Sequence, residues 1–207
     1  MRLGIVVDGK TEHHTIVGVV KRVRLGTGCY VAKADIQPKA PLGQQAFRAV
    51  EGYKVLAPNG IDKLLVLVDK EDRKGCDGAL SNELQANIVS KLAEVGVTIP
   101  VAVVLKVRMY ENWLIADYRA FAALPSRFRD VGRIRQRVER NRAETVDAVE
   151  ILSKHLIGDP YHKVRDGKLI CTKHDPFRAA MHSRSFRRFL RVAGCEAYSY
   201  QSKKPNY

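Results

Sequence analysis

The sequence has little cysteine and no long apolar run. Its four cysteines are scattered and form no C-x-x-C pair, which argues against a zinc ribbon and fits reduced thiols in a cytoplasm. No apolar segment approaches the roughly 18 residues of a membrane span. The first apolar segment, IVV, is interrupted at once by Asp8 and Lys10. We therefore expect a cytoplasmic protein with no secretory leader and no membrane partner.

Acidic residues are also scarce relative to basic ones. The chain has 22 Asp and Glu against 36 Lys and Arg, a formal net charge of +14. Such an excess predicts a polyanionic partner, and nucleic acid is favoured over an anionic membrane. A merely basic, soluble protein is the alternative. The 207 residues suit one domain, or one domain with an appendage.

Strand and helix patterns alternate through the first 120 residues or so. The segments RLGIVV, CYVAKADI, DKLLVLVD and TIPVAVVLKV read as strands, and DKLLVLVD is the clearest. Helical patterns lie between them, and Gly96 is placed to end the third helix. In LGQQAFRAVEGYKVLA we expect Phe47, Val50 and Val55 to face inward, and ENWLIADYRAFAAL reads as one further helix. This alternation predicts a doubly wound, mostly parallel α/β sheet of the Rossmann-like kind.

The remainder of the chain has a different character. An arginine-dense segment, RFRDVGRIRQRVERNR, is followed by the short amphipathic helix TVDAVEILSKHL. HKVRDGKLICTKHDP is predicted to form a hairpin that turns at Asp166-Gly167. SFRRFLRVAG reads as a basic helix, and QSKKPNY as a tail. We therefore expect an α/β domain over residues 1–124 and a basic, mainly helical extension over residues 125–207, packed on it.

The segment GIVVDGKT fits the text pattern of a phosphate-binding loop, G-x-x-x-x-G-K-[ST]. On that interpretation Lys10 and Thr11 would contact the phosphates of ATP, with Asp69 on Mg²⁺. The middle of the pattern is, however, apolar and rich in valine, which favours extended strand. A strand on RLGIVV, a turn at Asp8-Gly9-Lys10 and a helix from Thr11 fit the residues better. Asp8 then lies at the strand's carboxyl end, where a phosphate loop would place no negative charge.

Acidic residues follow three of the predicted strands. Asp8 ends the first strand, Asp69 ends DKLLVLVD, and TIPVAVVLKV runs on into Glu111. The carboxyl ends of parallel strands share one edge of a sheet, so these acids are expected to converge there. Clustered carboxylates need a cation, and Mg²⁺ or Mn²⁺ prefers oxygen ligands. The alternative is that the acids are solvated charges at loop starts. Three nearby acids are further candidate residues of this site: Glu12, Glu71 and Asp72.

The segments IVVDGKTE and LLVLVDKED together resemble the Toprim domain of topoisomerases, primases and overcoming-lysogenization-defect-type nucleases. YENWLIAD further resembles a small group of uncharacterised Toprim-like proteins that are often encoded beside an ATPase in defence loci. The resemblance covers residues 1 to about 120. It implies that Asp8 and Glu12 are the acids of the first motif, and that Asp69 and Glu71 are those of a D-x-D element. It also implies that Glu111 is the acid of the E-x-W segment and a further metal ligand. Asp8 replaces the usual Glu, Glu71 replaces Asp, and Asp72 is an alternative ligand.

Several basic residues are candidates for phosphate contact. Lys10 lies beside Asp8, where it could meet a substrate phosphate or pair with a carboxylate. On one helix, Arg133, Arg137 and Arg140 can share a face while Arg135 points away. In SFRRFLRV the phenylalanines are expected to pack inward and the arginines to face out. The predicted nucleic-acid contacts are Arg133, Arg135, Arg137, Arg140, Arg184, Arg187 and Arg188.

These observations together predict a metal-dependent nuclease that cleaves DNA or RNA with Mg²⁺ or Mn²⁺. The resemblance adds a role in antiviral defence and an ATPase protein partner. Two alternatives stay open: a phosphate-loop ATPase or kinase, and a non-catalytic subunit that binds nucleic acid. Trp113 is expected to be a core residue and not a base-stacking one.

Overall fold

The alternating strands and helices of the first part of the chain form one parallel sheet. In the computed structural model, which describes residues 1–23 and 28–198, the chain divides into two units, Met1–Lys106 and Val107–Tyr207. The predicted tail QSKKPNY lies outside the described residues. The division falls earlier than the predicted one at residue 124, because residues 107–124 pack with the helical part. Trp113, for example, lies 5.0 Å from Phe186 and 5.1 Å from Phe189 between ring centroids.

The described residues of the first unit form four strands and three α-helices. They are β1 (Leu3–Val7), α1 (Lys10–Val23), β2 (Cys29–Lys33), α2 (Leu42–Leu56), β3 (Lys63–Asp69), α3 (Asp77–Glu94) and β4 (Val101–Lys106). The strand order is β2-β1-β3-β4, and all pairs are parallel. The predicted Rossmann-like α/β fold is therefore confirmed. Gly96 follows α3 with a left-handed φ of 73°, as predicted for a residue that ends a helix.

Both faces of this sheet are buried. Val6, Leu64 and Val66 lie in one core with residues of α2 and α3. The alternate residues point to the other face because successive side chains of a strand alternate, and they too are buried, Ile5 and Leu65 among them. The crossovers from β1 to β2 and from β2 to β3 run in opposite directions. Right-handed connections therefore place α1 on the face opposite α2 and α3.

Helix α2 approaches the sheet closely through small residues, and two of its larger apolar residues stay outside the core. The prediction that Phe47 and Val55 face inward is wrong, since they are 49% and 67% exposed, whereas Val50 is buried as predicted. Gly52 explains the difference. A Cβ atom on this glycine would lie 2.8 Å from Val6 Cγ1, so α2 lies close against β1. Ala46 is also fully buried on this helix.

The regular elements in the described part of the second unit are helices, apart from one isolated bridge between Phe128 and Leu156. ENWLIADYRAFAAL forms two helices and not one, because the chain turns at Asp117, where φ is −98° and ψ is 71°. Trp113 is fully buried, as expected of a core residue. The helices are α4 (Tyr110–Ala116), α5 (Tyr118–Ala122), α6 (Val131–Val138), α7 (Ala148–Lys154), α8 (Lys163–Cys171), α9 (Pro176–His182) and α10 (Arg184–Val192).

The predicted hairpin at Asp166-Gly167 is wrong, because these residues lie within helix α8. The His162 ring accepts a hydrogen bond from the Arg165 backbone N–H at 3.1 Å and caps the helix. The Asp166 carboxylate is buried and accepts two hydrogen bonds from Arg127, at 3.0 and 2.8 Å. A tertiary ion pair thus outweighs a local Asp-Gly turn signal. Among the described helices, none has the length and apolar character that crossing a membrane requires.

Candidate metal centre

Three carboxylates converge at the carboxyl edge of the sheet. Asp8 follows β1, Glu12 lies in the first turn of α1, and Asp69 is the last residue of β3. One oxygen of each carboxylate lies within 4.8 Å of the others. The Asp8 Oδ2 atom also accepts a hydrogen bond from the Asp69 backbone N–H at 2.7 Å. These three side chains, predicted from the sequence, are called the acidic cluster below.

A buried lysine, which the sequence analysis did not identify, lies among the three acids. Lys106 ends β4 and pairs with Asp69 in the β3–β4 register. Its ammonium group is 2.5 Å from Asp8 Oδ1 and 3.0 Å from Asp69 Oδ1, and it also donates to Glu12 Oε1. The side chain is fully buried. The cation that the cluster requires is therefore supplied in part by the protein itself.

The cluster has more carboxylates than cations, and the pKa of Asp69 is raised. Burial raises the pKa of Asp69 to about 8; Lys106 opposes this shift, while Asp8 and Glu12 add to it. Burial alone would lower the pKa of Lys106, but the three carboxylates raise it well above its usual value. The lysine is thus charged, and one of the three acids suffices to neutralise it, which leaves an excess of negative charge in the cluster. The third acid, Asp69, is available to bind a proton or another cation.

Asp69 is also the member of the cluster with the most access to solvent. Its side chain is 20% exposed, compared with 5% for Asp8 and 4% for Glu12. The Asp69 Oδ1 atom is buried and has no hydrogen-bond partner of acceptable geometry among the described residues, despite its proximity to Lys106. Hard carboxylate oxygens that outnumber the one cation among them fit Mg²⁺ or Mn²⁺. The donor set therefore suits such an ion.

The turn between β1 and α1 is too short for the phosphate-binding loop. Strand β1 continues to Val7 and helix α1 begins at Lys10, so Asp8 and Gly9 alone connect them. A Cβ atom on Gly9 would lie 2.1 Å from Glu12 Oε2, so the glycine makes room for a carboxylate. The backbone N–H groups that cradle phosphates come from a longer glycine-rich loop. The ATPase or kinase interpretation therefore loses its structural basis.

Two of the predicted ligands do not join the acidic cluster. Glu71 follows β3 with a left-handed φ of 48°, and its carboxylate lies 3.6 Å from Lys39. Asp72 is exposed in the same loop. The D-x-D spacing therefore does not bring a second acid beside Asp69, because the chain turns away directly after the strand. Arg73 fastens this loop by donating to the Pro38 carbonyl at 2.7 Å.

Glu111 and Lys10 are placed differently. Glu111 belongs to the second unit, where it is buried in the first turn of α4 and lies 3.7 Å from Lys163. Lys10 is the first residue of α1 and is exposed. Among the described residues Lys10 has no ion-pair partner, so the carboxylate pairing, one of the two predicted alternatives, is not seen. Its free ammonium group at a helix N-terminus beside Asp8 remains suited to a substrate phosphate.

The arginine-dense segment does not present its side chains on one face. Helix α6 ends at Val138, and Arg140 follows it with a left-handed φ of 58°. Arg133 and Arg137 line one groove, whereas Arg135 and Arg140 line a separate cleft. The expected face of Arg133, Arg137 and Arg140 is therefore wrong, because it assumed a longer helix.

The groove contains a third arginine that the sequence analysis passed over. Arg129 lines the groove together with Arg133 and Arg137. The groove is called the arginine groove below, after these three residues. None of the three forms an ion pair with a described residue. The groove is also lined by two acids and a lysine: Glu150 pairs with Lys154 on α7, and Asp130 lies 3.8 Å from the His155 ring, so the basic residues outnumber the acids. The groove thus has an excess of positive charge.

The arginines of α10 are not equivalent. Arg184 is exposed, and Arg188 is partly buried. Arg187 is 5% exposed and donates to the Ala180 carbonyl at 2.6 Å. The prediction that Arg187 faces out to bind nucleic acid is therefore wrong. Its hydrogen bond to Ala180 instead connects α10 to α9. Phe186 and Phe189 are buried as predicted.

The fold and the cluster define a class: a Rossmann-like α/β protein with an acidic, lysine-containing centre at the carboxyl edge of its sheet. The family described as "Domain of unknown function (DUF4276)" has a sequence model that matches residues 7–192. The chain therefore belongs to this family. Comparisons with curated proteins and with solved structures found no match.

Proposed function

We propose that this protein is a divalent-metal-dependent nuclease that cleaves phosphodiester bonds of DNA or RNA. The acidic cluster carries the proposal, because it gathers three carboxylates around a single ammonium group at the carboxyl edge of a parallel sheet, where sites of open α/β sheets form. The resemblance of IVVDGKTE and LLVLVDKED to Toprim nucleases supports the same chemistry.

Each residue of the centre has a distinct task in this proposal. Asp69 and Asp8 would hold Mg²⁺ or Mn²⁺, and Glu12 would add to the negative charge of the site. When bound, such an ion activates water and stabilises the leaving oxygen. Lys106 fixes the orientation of all three carboxylates through its short contacts. Lys10, exposed at the start of α1, contacts the substrate phosphate.

The proposal is tested by incubating the purified chain with plasmid DNA, tRNA and total RNA. We expect cleavage of at least one of them with Mg²⁺ or Mn²⁺, and no cleavage when EDTA is in excess. The reactions are repeated with the product of a neighbouring ATPase gene, since the resemblance implies such a partner. Absence of cleavage of every substrate, with either ion and with or without that partner, would refute the proposal.

The second unit contributes the nucleic-acid surface through the arginine groove. Arg133 and Arg137 lie one helical turn apart on α6, about 6 Å along the axis, and Arg129 extends the row before the helix begins. Guanidinium groups match phosphate oxygens with a planar fork. Burial lowers the pKa of His155, so the histidine in this groove is neutral near pH 7 and the charge comes from the arginines.

Replacing Arg129, Arg133 and Arg137 with glutamine should weaken nucleic-acid binding similarly for all sequences. It should also flatten the plot of log affinity against log salt by a slope of roughly 2–3, since each lost phosphate contact contributes about 0.7–0.9. Fluorescence anisotropy across a salt series measures both quantities.

The control for this variant removes the same charge elsewhere. Lys21, Lys91 and Lys168 lie on α1, α3 and α8 and have no ion-pair partner among the described residues. Their replacement with glutamine should change the slope by less than about 1, the share of a single contact. Equal slope changes in the two triple variants would show that net charge, and not the arginine groove, determines binding.

Lys106 favours one other function. Because a protein cation already lies among the carboxylates, the cluster could serve stability alone, and the chain would then be a non-catalytic nucleic-acid-binding subunit. Salt-dependent binding through the arginine groove without metal-dependent cleavage would select this second candidate. On either proposal we place the protein in the cytoplasm, in keeping with the free thiols of its four cysteines.

A further inference from the structure

A separate cleft in the second unit has the chemistry of a phosphate site. It has a volume of about 270 Å³ and is lined by residues of α5, α6 and α9, with the turn that follows α6. Four arginines line it: Arg119, Arg135, Arg140 and Arg178. Its walls also include the ring of Tyr118, which lies 5.7 Å from the His182 ring between centroids. We call it the Tyr118 cleft.

Two of the four arginines are neutralised within the cleft. Arg178 donates to both carboxylate oxygens of Asp117, at 2.8 and 2.9 Å, and lies 3.6 Å from Asp175. Arg135 donates to Glu139, and this hydrogen bond lowers the pKa of the Glu139 carboxyl. Both acids that line the cleft are thus engaged by these two arginines and are not free to pair with a further cation.

The other two arginines remain without a partner. Arg119 and Arg140 are exposed, and neither forms an ion pair or a side-chain hydrogen bond with a described residue. Burial lowers the pKa of His182, so its ring adds no charge near pH 7. The cleft therefore holds two uncompensated positive charges beside an aromatic wall.

The backbone conformation at Arg140 indicates that its side chain has a functional role. Arg140 and Asn141 both have left-handed φ angles, 58° and 65°. Asparagine tolerates this region, but arginine rarely adopts it, and such strained positions cluster at functional sites. The Arg142 side chain stabilises the turn by donating a hydrogen bond to the Glu139 carbonyl at 3.0 Å. A glycine at position 140 would suit the turn better, yet an arginine lines the cleft.

We propose that the Tyr118 cleft binds a phosphate monoester, held by Arg119 and Arg140. A monoester carries a charge of about −1.5 to −2 near pH 7, which matches the two free guanidinium groups, whereas a diester carries one charge. The Tyr118 wall contacts the group that bears the phosphate. The ligand is a free nucleotide or the terminal phosphate of a nucleic-acid strand. This binding is independent of the proposed nuclease activity.

The test uses calorimetry without divalent ions at fixed ionic strength. The probes are AMP with adenosine as its reference, and ten-nucleotide DNA strands with a 5′-phosphate, a 3′-phosphate or hydroxyl groups at both ends. We expect at least one phosphorylated probe to bind tenfold or more tightly than its reference. Preference for AMP identifies a free nucleotide, and preference confined to a strand identifies a strand end. The absence of any preference would overturn the proposal.

The variants Arg140→Gly and Arg119→Gln should each remove most of the preference for phosphate. Arg140→Gly should melt no lower than the wild type because it relieves the left-handed arginine, so a loss of binding cannot come from unfolding. Lys168→Gln, an exposed charge on α8 that does not line the cleft, should keep the preference. A preference that survives in both arginine variants would refute the assignment.

Discussion

Replacing Lys106 with methionine is expected to lower the free energy of unfolding by about 3–5 kcal/mol at pH 7, as for other buried ion pairs that lose one partner. Methionine fills much of the same volume without the charge. The carboxylates of Asp8, Glu12 and Asp69 would then face one another without their shared cation. Urea unfolding followed by circular dichroism measures the loss. Lys21→Met, at an exposed position of α1, should change stability by less than about 0.5 kcal/mol.

The repulsion left by Lys106→Met can be relieved in two ways. Mg²⁺ should reduce the stability difference from the wild type if the cluster binds metal. A double variant with Asp8→Asn should lose less stability than the sum of the two single variants, with a coupling of about 0.5–3 kcal/mol. Strict additivity, or a loss below about 1 kcal/mol, would show that Lys106 does not hold the cluster together.

The three acids of the cluster were predictable from the sequence, but their lysine was not. Asp8 and Asp69 directly follow apolar strands, and Glu12 lies one helical turn beyond Asp8, so their convergence follows from a parallel sheet. A lysine at the end of a strand, as in VAVVLK, is normally predicted to be exposed to solvent. Its burial depends on the β3–β4 register that pairs it with Asp69, and this register is not encoded in either strand alone.

The errors in the fold share a physical cause, which is that tertiary contacts outweighed local patterns. The largest apolar residues of α2 were expected inside, but Gly52 and Ala46 allow a close approach to β1 and leave Phe47 exposed. The Asp166-Gly167 turn signal was outweighed by Arg127. The position of Glu71 depends on one left-handed residue after β3, and the D-x-D spacing carries no information about that angle.

Asp69→Asn is expected to reduce cleavage by at least about a hundredfold, since even the outer partners of metal ligands account for 10–100-fold. The amide keeps the size of the side chain but cannot carry the negative charge that holds a divalent ion. Nucleic-acid affinity should stay within about twofold, because the arginine groove is unchanged. Cleavage rates are compared with those of Asp35→Asn, which alters an exposed acid that accepts a hydrogen bond from Gln37 at 2.7 Å.

The same substitution should raise the stability of the metal-free protein, and this gain depends on pH. The Asp69 carboxyl ionises near pH 4 when unfolded and near pH 8 when folded. Between these values the folded state binds a proton that the unfolded state lacks, so the contribution of Asp69 to stability falls as the pH rises to 8 and is constant above it. Asparagine does not titrate. Asp69→Asn should therefore be more stable than the wild type at pH 9 by at least about 1 kcal/mol, and show little gain at pH 4.

Asp69→Asn is thus expected to lower activity and raise stability. Such opposite changes are typical of functional residues whose native state destabilises the fold. Thermal unfolding at pH 4, 7 and 9, with and without Mg²⁺, separates the explanations. Mg²⁺ should stabilise the wild type and not Asp69→Asn, because the ion binds the ionised carboxylate. A variant that is less stable than the wild type at pH 9, and that keeps its cleavage rate, would show instead that Asp69 serves mainly to anchor Lys106.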